Sequence, residues 1–157
     1  MKAVKWMLQT NDNAAALPLR LTLALVMFPH GAQKVLGWFG GYGFGGTLKF
    51  FTENMHLPAP LVLLVFAAEF LAPLALVAGL LTRLSAFGIG AVMVGAIATV
   101  HAQKGFFMNW TGKQAGEGFE YHLLVLGLVA ALLILGGGRW SLDGILARKP
   151  QTEKGTV

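Results

Sequence analysis

Four long apolar stretches, separated by shorter polar segments, set the pattern of this chain. They cover residues 14–31, 60–81, 84–100 and 119–138. A helix needs about 20 mostly apolar residues, with a range of about 17–25, to cross the hydrocarbon of a bilayer. Each stretch falls within that range, so the pattern predicts four transmembrane helices. Only Thr82 and Arg83 separate the second stretch from the third, which predicts a helical hairpin.

The second and third stretches lack the polar face of a soluble amphipathic helix. Such a helix carries charged side chains every third or fourth residue, whereas Glu69 is the only charged residue in these two stretches. Backbone polar groups in lipid are satisfied within helices or in a closed barrel, and the period-two alternation of barrel strands is absent. The predicted fold class is therefore an all-α integral membrane four-helix bundle, formed by a single domain over residues 1–157.

The few charges orient this bundle. Asp, Glu, Lys and Arg make up 12 % of the 157 residues, and the net charge is +5. Four spans place both termini on one side, which then holds eight of the 12 basic residues: Lys2, Lys5, Arg20, Arg83, Arg139, Arg148, Lys149 and Lys154. Because cytoplasmic segments are enriched in Lys and Arg, both termini are predicted to be cytoplasmic. The basic residues are scattered beside the spans, so no nucleic-acid partner is predicted.

The two longer connections, 32–59 and 101–118, are external on this topology. Both contain aromatic residues beside polar ones, which is typical of the headgroup level of a bilayer. Within the first connection, residues 47–55 (TLKFFTENM) are predicted to form a short helix that lies in the interface. The C-terminal tail, residues 144–157, is predicted to be flexible.

Ionisable residues inside the spans are the strongest candidates for function. A charge at the bilayer centre costs about 2.5–3.5 kcal/mol on insertion scales. Glu69 lies nine residues beyond Pro60, or about 14 Å along a helix, so it needs a proton, a partner or a wet cavity. The other candidates lie at the external ends of the remaining spans: His30, His101, Glu120 and His122. The sequence thus predicts one external-side cavity to which all four helices contribute.

Several assignments stay open from the residues alone. His101, Glu120 and His122 could equally be interfacial residues without a role. Arg20 could extend to the cytoplasmic interface or reach inward. No metal site is predicted, because Glu120 and His122 point about 200° apart on a helix. Haem between His30 and His101 is disfavoured, because neither residue lies near mid-membrane.

Sequence motifs in a fixed order carry a family resemblance. The first span ends in FPHGAQKVLGWFGG (28–41), and the second contains Glu69 and closes with GLLTR (79–83). The third is followed by His101 and GFF (105–107). The fourth begins with Glu120 and ends in GGGRWSLD (136–143). With these motifs the chain resembles the DoxX family of small bacterial membrane proteins over about residues 17–143.

The resemblance implies a multi-pass protein of the bacterial inner membrane. It also implies an oxidoreductase, or a subunit of one, in quinone-linked redox or oxidative-stress chemistry. On this interpretation Glu69, His30 and His101 are catalytic and move protons. Residues that bind the substrate or quinone are Arg20, Lys34, Glu120 and His122. Because the chain contains no Cys, a redox step would need a bound quinone, another cofactor, or a soluble or membrane partner subunit.

Two other functions remain open beside the redox hypothesis. The chain could be a non-catalytic membrane anchor or assembly module for a redox partner, which the lack of Cys favours. It could also be a small proton-coupled permease built around Glu69. The sequence allows a homo-oligomer, and the lipid bilayer is the one partner that its apolar pattern requires.

Overall fold

The computed structural model describes residues 6–147, and these residues form helices and loops without a strand. The all-α prediction is confirmed for this part of the chain. The long helices are α1 (Ala16–Leu36), α3 (Ala59–Ala78), α4 (Thr82–Lys104) and α5 (Glu120–Leu135). Between α1 and α3 lies α2, formed by Gly43–Lys49 and continued by a π turn at Phe50–Asn54. The short helix α6 (Leu142–Ala147) ends the described part.

Two helices, α3 and α4, are long and apolar enough to cross a membrane. Their most apolar 18-residue windows have mean hydropathies of 2.5 and 1.7. Both helices expose large apolar side chains, including Leu64, Leu71 and Phe87, as a lipid-facing surface would. Helix α5 is apolar but only 16 residues long. Helix α1 has 21 residues, and its polar side chains lower its hydropathy.

Several boundaries differ from the sequence prediction for local physical reasons. Helix α3 ends at Ala78 because Gly79 adopts a left-handed conformation (φ 67°), which commonly ends helices. Thr82 and Arg83 therefore begin α4 instead of forming the connection. The short helix predicted over 47–55 is present and starts four residues earlier, at Gly43.

The predicted flexible tail begins inside a helix. Residues Leu142–Ala147 form α6, so the first four residues of the segment 144–157 are helical. Asp143 anchors this helix, as its backbone N–H donates to the carbonyl of Gly79 at 2.9 Å. The remainder of the predicted tail, 148–157, lies outside the described residues.

One apolar core joins the four long helices. Helix α1 packs against α3 and α5, and α4 packs against the same two helices. The core side chains are Leu23, Ala24, Met27, Ala72, Leu76, Ala86, Ile89, Met93, Val125, Val129 and Leu132. The helices have a long-loop end, with connections 37–58 and 105–119, and a short-turn end, with connections 79–81 and 136–141.

Buried charges hold the short-turn end together. Asp143 accepts hydrogen bonds from the backbone N–H groups of Leu81 (2.7 Å) and Thr82 (2.8 Å), which caps the start of α4. Arg83 donates to the carbonyls of Trp6 (2.6 Å) and Ile134 (3.0 Å). The motifs GLLTR and GGGRWSLD therefore meet in space and bond to each other, which gives them a structural role.

Candidate functional site

An ion pair joins the buried carboxylate of Glu69 to the partly exposed ammonium of Lys34. Lys34 Nζ on α1 is 2.5 Å from Glu69 Oε2 on α3. The side chain of Glu69 is 6 % exposed and that of Lys34 is 25 % exposed. Glu69 thus has the partner that its depth in an apolar helix demands. Because the pair is nearly neutral overall, it can persist in a region of low dielectric.

Local backbone features bring the two helices together at this pair. Glu69 lies in a π turn, Ala67–Leu71, within α3. Gly31 of α1 packs directly on that turn, since a Cβ added there would overlap the carbonyl of Glu69 and Cα of Phe70. Only glycine allows this approach, and it places Lys34 one turn from the contact. π turns often mark functional sites.

Two aromatic side chains extend the site from α1 to α5. His30, four residues before Lys34, lies on the same face of α1 and is within electrostatic range of both Lys34 and Glu69. The ring centroids of His30 and Tyr121 are 6.3 Å apart. The side chain of His30 is exposed, in contrast to that of Glu69.

A histidine pair completes the site between α4 and α5. The ring centroids of His101 and His122 are 4.2 Å apart. His101 lies in a further π turn, Ile97–His101, and its Nδ1 is 2.8 Å from the carbonyl oxygen of Glu117. His122 is buried, and its Nδ1 has no hydrogen-bond partner. We call the following side chains the polar cluster: His30, Lys34, Glu69, His101, Tyr121 and His122.

Two of the predicted site residues lie outside the polar cluster. Glu120 turns to the loop 105–119, where its Oε2 accepts a hydrogen bond from the N–H of Met108 at 3.0 Å. Arg20 is fully buried at the short-turn end and donates to the carbonyls of Leu76 (2.8 Å) and Trp140 (3.0 Å). It lies fourteen residues before Lys34, or about 21 Å along α1. The structure therefore does not bring Arg20 to Glu69.

An apolar groove runs along the surface of α1 and α3 beside the polar cluster. It has a volume of about 430 Å³ and is lined by Leu21, Ala24, Leu25, Phe28, Pro29, Pro73, Leu74 and Val77. Pro29 directly precedes His30, and Pro73 follows Glu69 by four residues. The ring of Phe28 stacks on that of Phe70 at 5.7 Å, next to Glu69. Neither Lys34 nor Glu69 lines the groove itself.

Tyr121 is the cluster residue that the sequence did not single out. Its position between Glu120 and His122 was the only available signal, and a phenol is not expected to ionise near neutral pH. Within residues 6–147, no group of three or more His, Cys, Asp or Glu side chains is arranged to hold a metal ion.

Comparison with known proteins identifies the family. The DoxX family model matches residues 15–102, which is more than half of the chain. The match includes Arg20, His30, Lys34, Glu69 and His101, and it ends before α5, so it covers less than the motif resemblance did. No curated protein and no solved structure matches the chain. On the strength of the family match, the chain belongs to the DoxX family of membrane proteins.

Proposed function

We propose that this chain is a quinone-linked oxidoreductase, or a subunit of one, in the bacterial inner membrane. It forms a four-helix bundle with both termini in the cytoplasm, and α2 lies in the external interface. The observation that carries the proposal is the buried Lys34–Glu69 ion pair with His30 on its accessible side. Ionisable residues within membrane-spanning helices usually pair with one another and mark functional sites, which supports a functional role for this pair.

The polar cluster offers what a quinone headgroup needs as substrate. A quinone presents two carbonyl oxygens that accept hydrogen bonds, and its tail is apolar. Lys34 and His30 would supply donors, and the groove of about 430 Å³ on α1 and α3 would offer an apolar surface for part of the tail. Lys34 would stabilise negative charge that develops on the ring oxygen.

The residues of this chain would handle protons rather than electrons. Reduction of a quinone to a quinol takes up two electrons and two protons, and the chain has no Cys for electron storage. We assign the electrons to a partner subunit. Glu69 and His30 would each take up a proton from the external side and pass it to the reduced ring, which accounts for both protons, and the His101–His122 pair of the same cluster would assist that uptake. On this proposal Arg20 stabilises the short-turn end, and Glu120 stabilises the loop 105–119 through its hydrogen bond with Met108.

Purification in a mild detergent tests this proposal. Mass spectrometry of the lipid extract is expected to show a quinone that is retained with the wild-type chain at near-stoichiometric amounts. An optical spectrum on the same sample would reveal any haem. An extract without quinone, together with a stably co-purifying redox enzyme, would contradict the proposal and support the membrane-anchor alternative.

A further inference from the structure

Tyr121 is placed to contact a ligand in the polar cluster. It is the second residue of α5 and is half-buried. Its ring centroid is 6.3 Å from that of His30 on α1 and 5.5 Å from that of His122. Tyr121 therefore lies against the face of α1 that carries His30, and Lys34 is one turn further along that face.

The hydroxyl of Tyr121 has only a weak partner. It is 3.6 Å from Sδ of Met27, a buried residue of α1. A thioether is a weak acceptor, whereas a buried tyrosine hydroxyl usually bonds to oxygen or nitrogen. The donor of Tyr121 is therefore available to a better acceptor.

The neighbouring His122 has an unsatisfied polar atom as well. Its Nδ1 is buried and lacks a hydrogen-bond partner, although nearly all buried polar atoms in proteins are satisfied. Two adjacent residues at the start of α5 thus both lack a proper partner. Such a pair marks a position for a bound polar group.

The charges of the cluster indicate which polar group fits. Lys34 is paired with Glu69, so the cluster has no uncompensated positive charge to hold a permanent anion, whereas the Lys34 ammonium still has N–H donors for a ring oxygen. The available donor and its apolar neighbour Met27 favour a neutral ring with a carbonyl oxygen. This matches one oxygen of a quinone, the substrate class of the proposed function.

We propose that Tyr121 is a ligand-binding residue whose hydroxyl donates a hydrogen bond to a carbonyl oxygen of the quinone headgroup. The headgroup then bridges α1 and α5, with Lys34 and His30 on one side and Tyr121 on the other. This inference rests on the proposed function and adds a residue that the sequence analysis did not assign.

The chain offers a matched control for a test, because it contains only two tyrosines. Tyr42 lies before α2 and is 80 % exposed. A short-chain benzoquinone is titrated into the detergent-purified wild type, Tyr121→Phe and Tyr42→Phe. We expect Tyr121→Phe to weaken binding roughly tenfold, as loss of one hydrogen bond to a buried acceptor does, and Tyr42→Phe to bind like the wild type.

A second measurement does not depend on the folding of Tyr121→Phe. In the Tyr42→Phe chain, Tyr121 is the one remaining tyrosine, and its ring-labelled NMR resonance should shift when the benzoquinone is added. Suppose that the wild type binds the benzoquinone, that Tyr121→Phe binds it equally well, and that the tyrosine resonance does not shift. The role of Tyr121 is then refuted and the proposed function stands. If the wild type does not bind the benzoquinone, both are refuted.

Discussion

At the scale of single residues, the sequence identified Glu69 as a side chain whose burial costs free energy, but it did not identify the partner of Glu69. Glu69 stands alone in an apolar stretch, so its need for compensation followed from composition. Lys34 was assigned to substrate binding separately, because the rotation of α1 relative to α3 cannot be obtained from one sequence. Tyr121 was missed for the same reason: a tyrosine becomes notable only when its hydroxyl is seen beside a thioether.

The hydrogen-bond partners of Arg20 indicate a structural role for this residue. Its guanidinium donates to three carbonyls, those of Leu76, Val77 and Trp140. Replacement by Met would remove these charged hydrogen bonds and leave the carbonyls buried. We expect Arg20→Met to lower the free energy of unfolding by roughly 3 kcal/mol, measured by thermal unfolding in detergent.

Arg139→Met serves as the control for that substitution. Arg139 pairs with Asp12 at the surface, where both side chains are well exposed, so its loss should have a much smaller effect. The folded fraction of Arg20→Met should bind quinone normally. Equal stability of the two variants, or specific loss of quinone binding in Arg20→Met, would argue against the structural role of Arg20.

At the scale of helices, the sequence predicted which helices form, but it predicted less well where each helix begins and ends. The apolar stretches located the long helices, yet the α3–α4 turn lies three residues earlier because Gly79 is left-handed and Asp143 caps α4. Asp143 is distant in the sequence, so its capping could not be anticipated. The close approach of α1 to α3 likewise depends on Gly31, which looks ordinary in the sequence.

Gly31→Ala tests whether that approach positions the site. Its Cβ would overlap the backbone at Glu69 and Phe70, so the helices would have to separate. Overpacking of this kind costs about 1–3 kcal/mol. We expect lower thermal stability and weakened quinone binding, because Lys34 would be drawn away from Glu69.

Gly95→Ala is the matched control in another long helix. A Cβ at Gly95 would meet no atom within 4 Å, so stability should be unchanged or slightly higher. Should Gly31→Ala behave like Gly95→Ala in both measurements, the close contact would have no part in building the site.

At the scale of the whole molecule, the short-turn end and the long-loop end have different roles. The short-turn end is fixed by buried charges bonded to backbone groups, including Arg20, Arg83 and Asp143. The long-loop end carries the polar cluster, whose members come from α1, α3, α4 and α5. The distribution of basic residues orients the first end toward the cytoplasm on our proposal.

Cysteine labelling can test this orientation, because the natural chain has no Cys. We introduce Ala115→Cys in the loop 105–119 and Ala147→Cys at the end of α6, both at exposed positions. A membrane-impermeant maleimide should label Ala115→Cys in intact spheroplasts and Ala147→Cys only after the membrane is opened. The reverse pattern would place the polar cluster on the cytoplasmic side and contradict the topology.

The central claim is that the buried carboxylate of Glu69 is part of a quinone site, and one titration tests it most directly. A short-chain benzoquinone is added to purified wild type, Glu69→Gln and Glu53→Gln. Glu53 is an exposed carboxylate on α2 that is paired with Lys49. We predict that Glu69→Gln stays folded but loses at least tenfold in affinity, while Glu53→Gln matches the wild type. Equal affinity of all three chains, or no binding by any, would contradict the account.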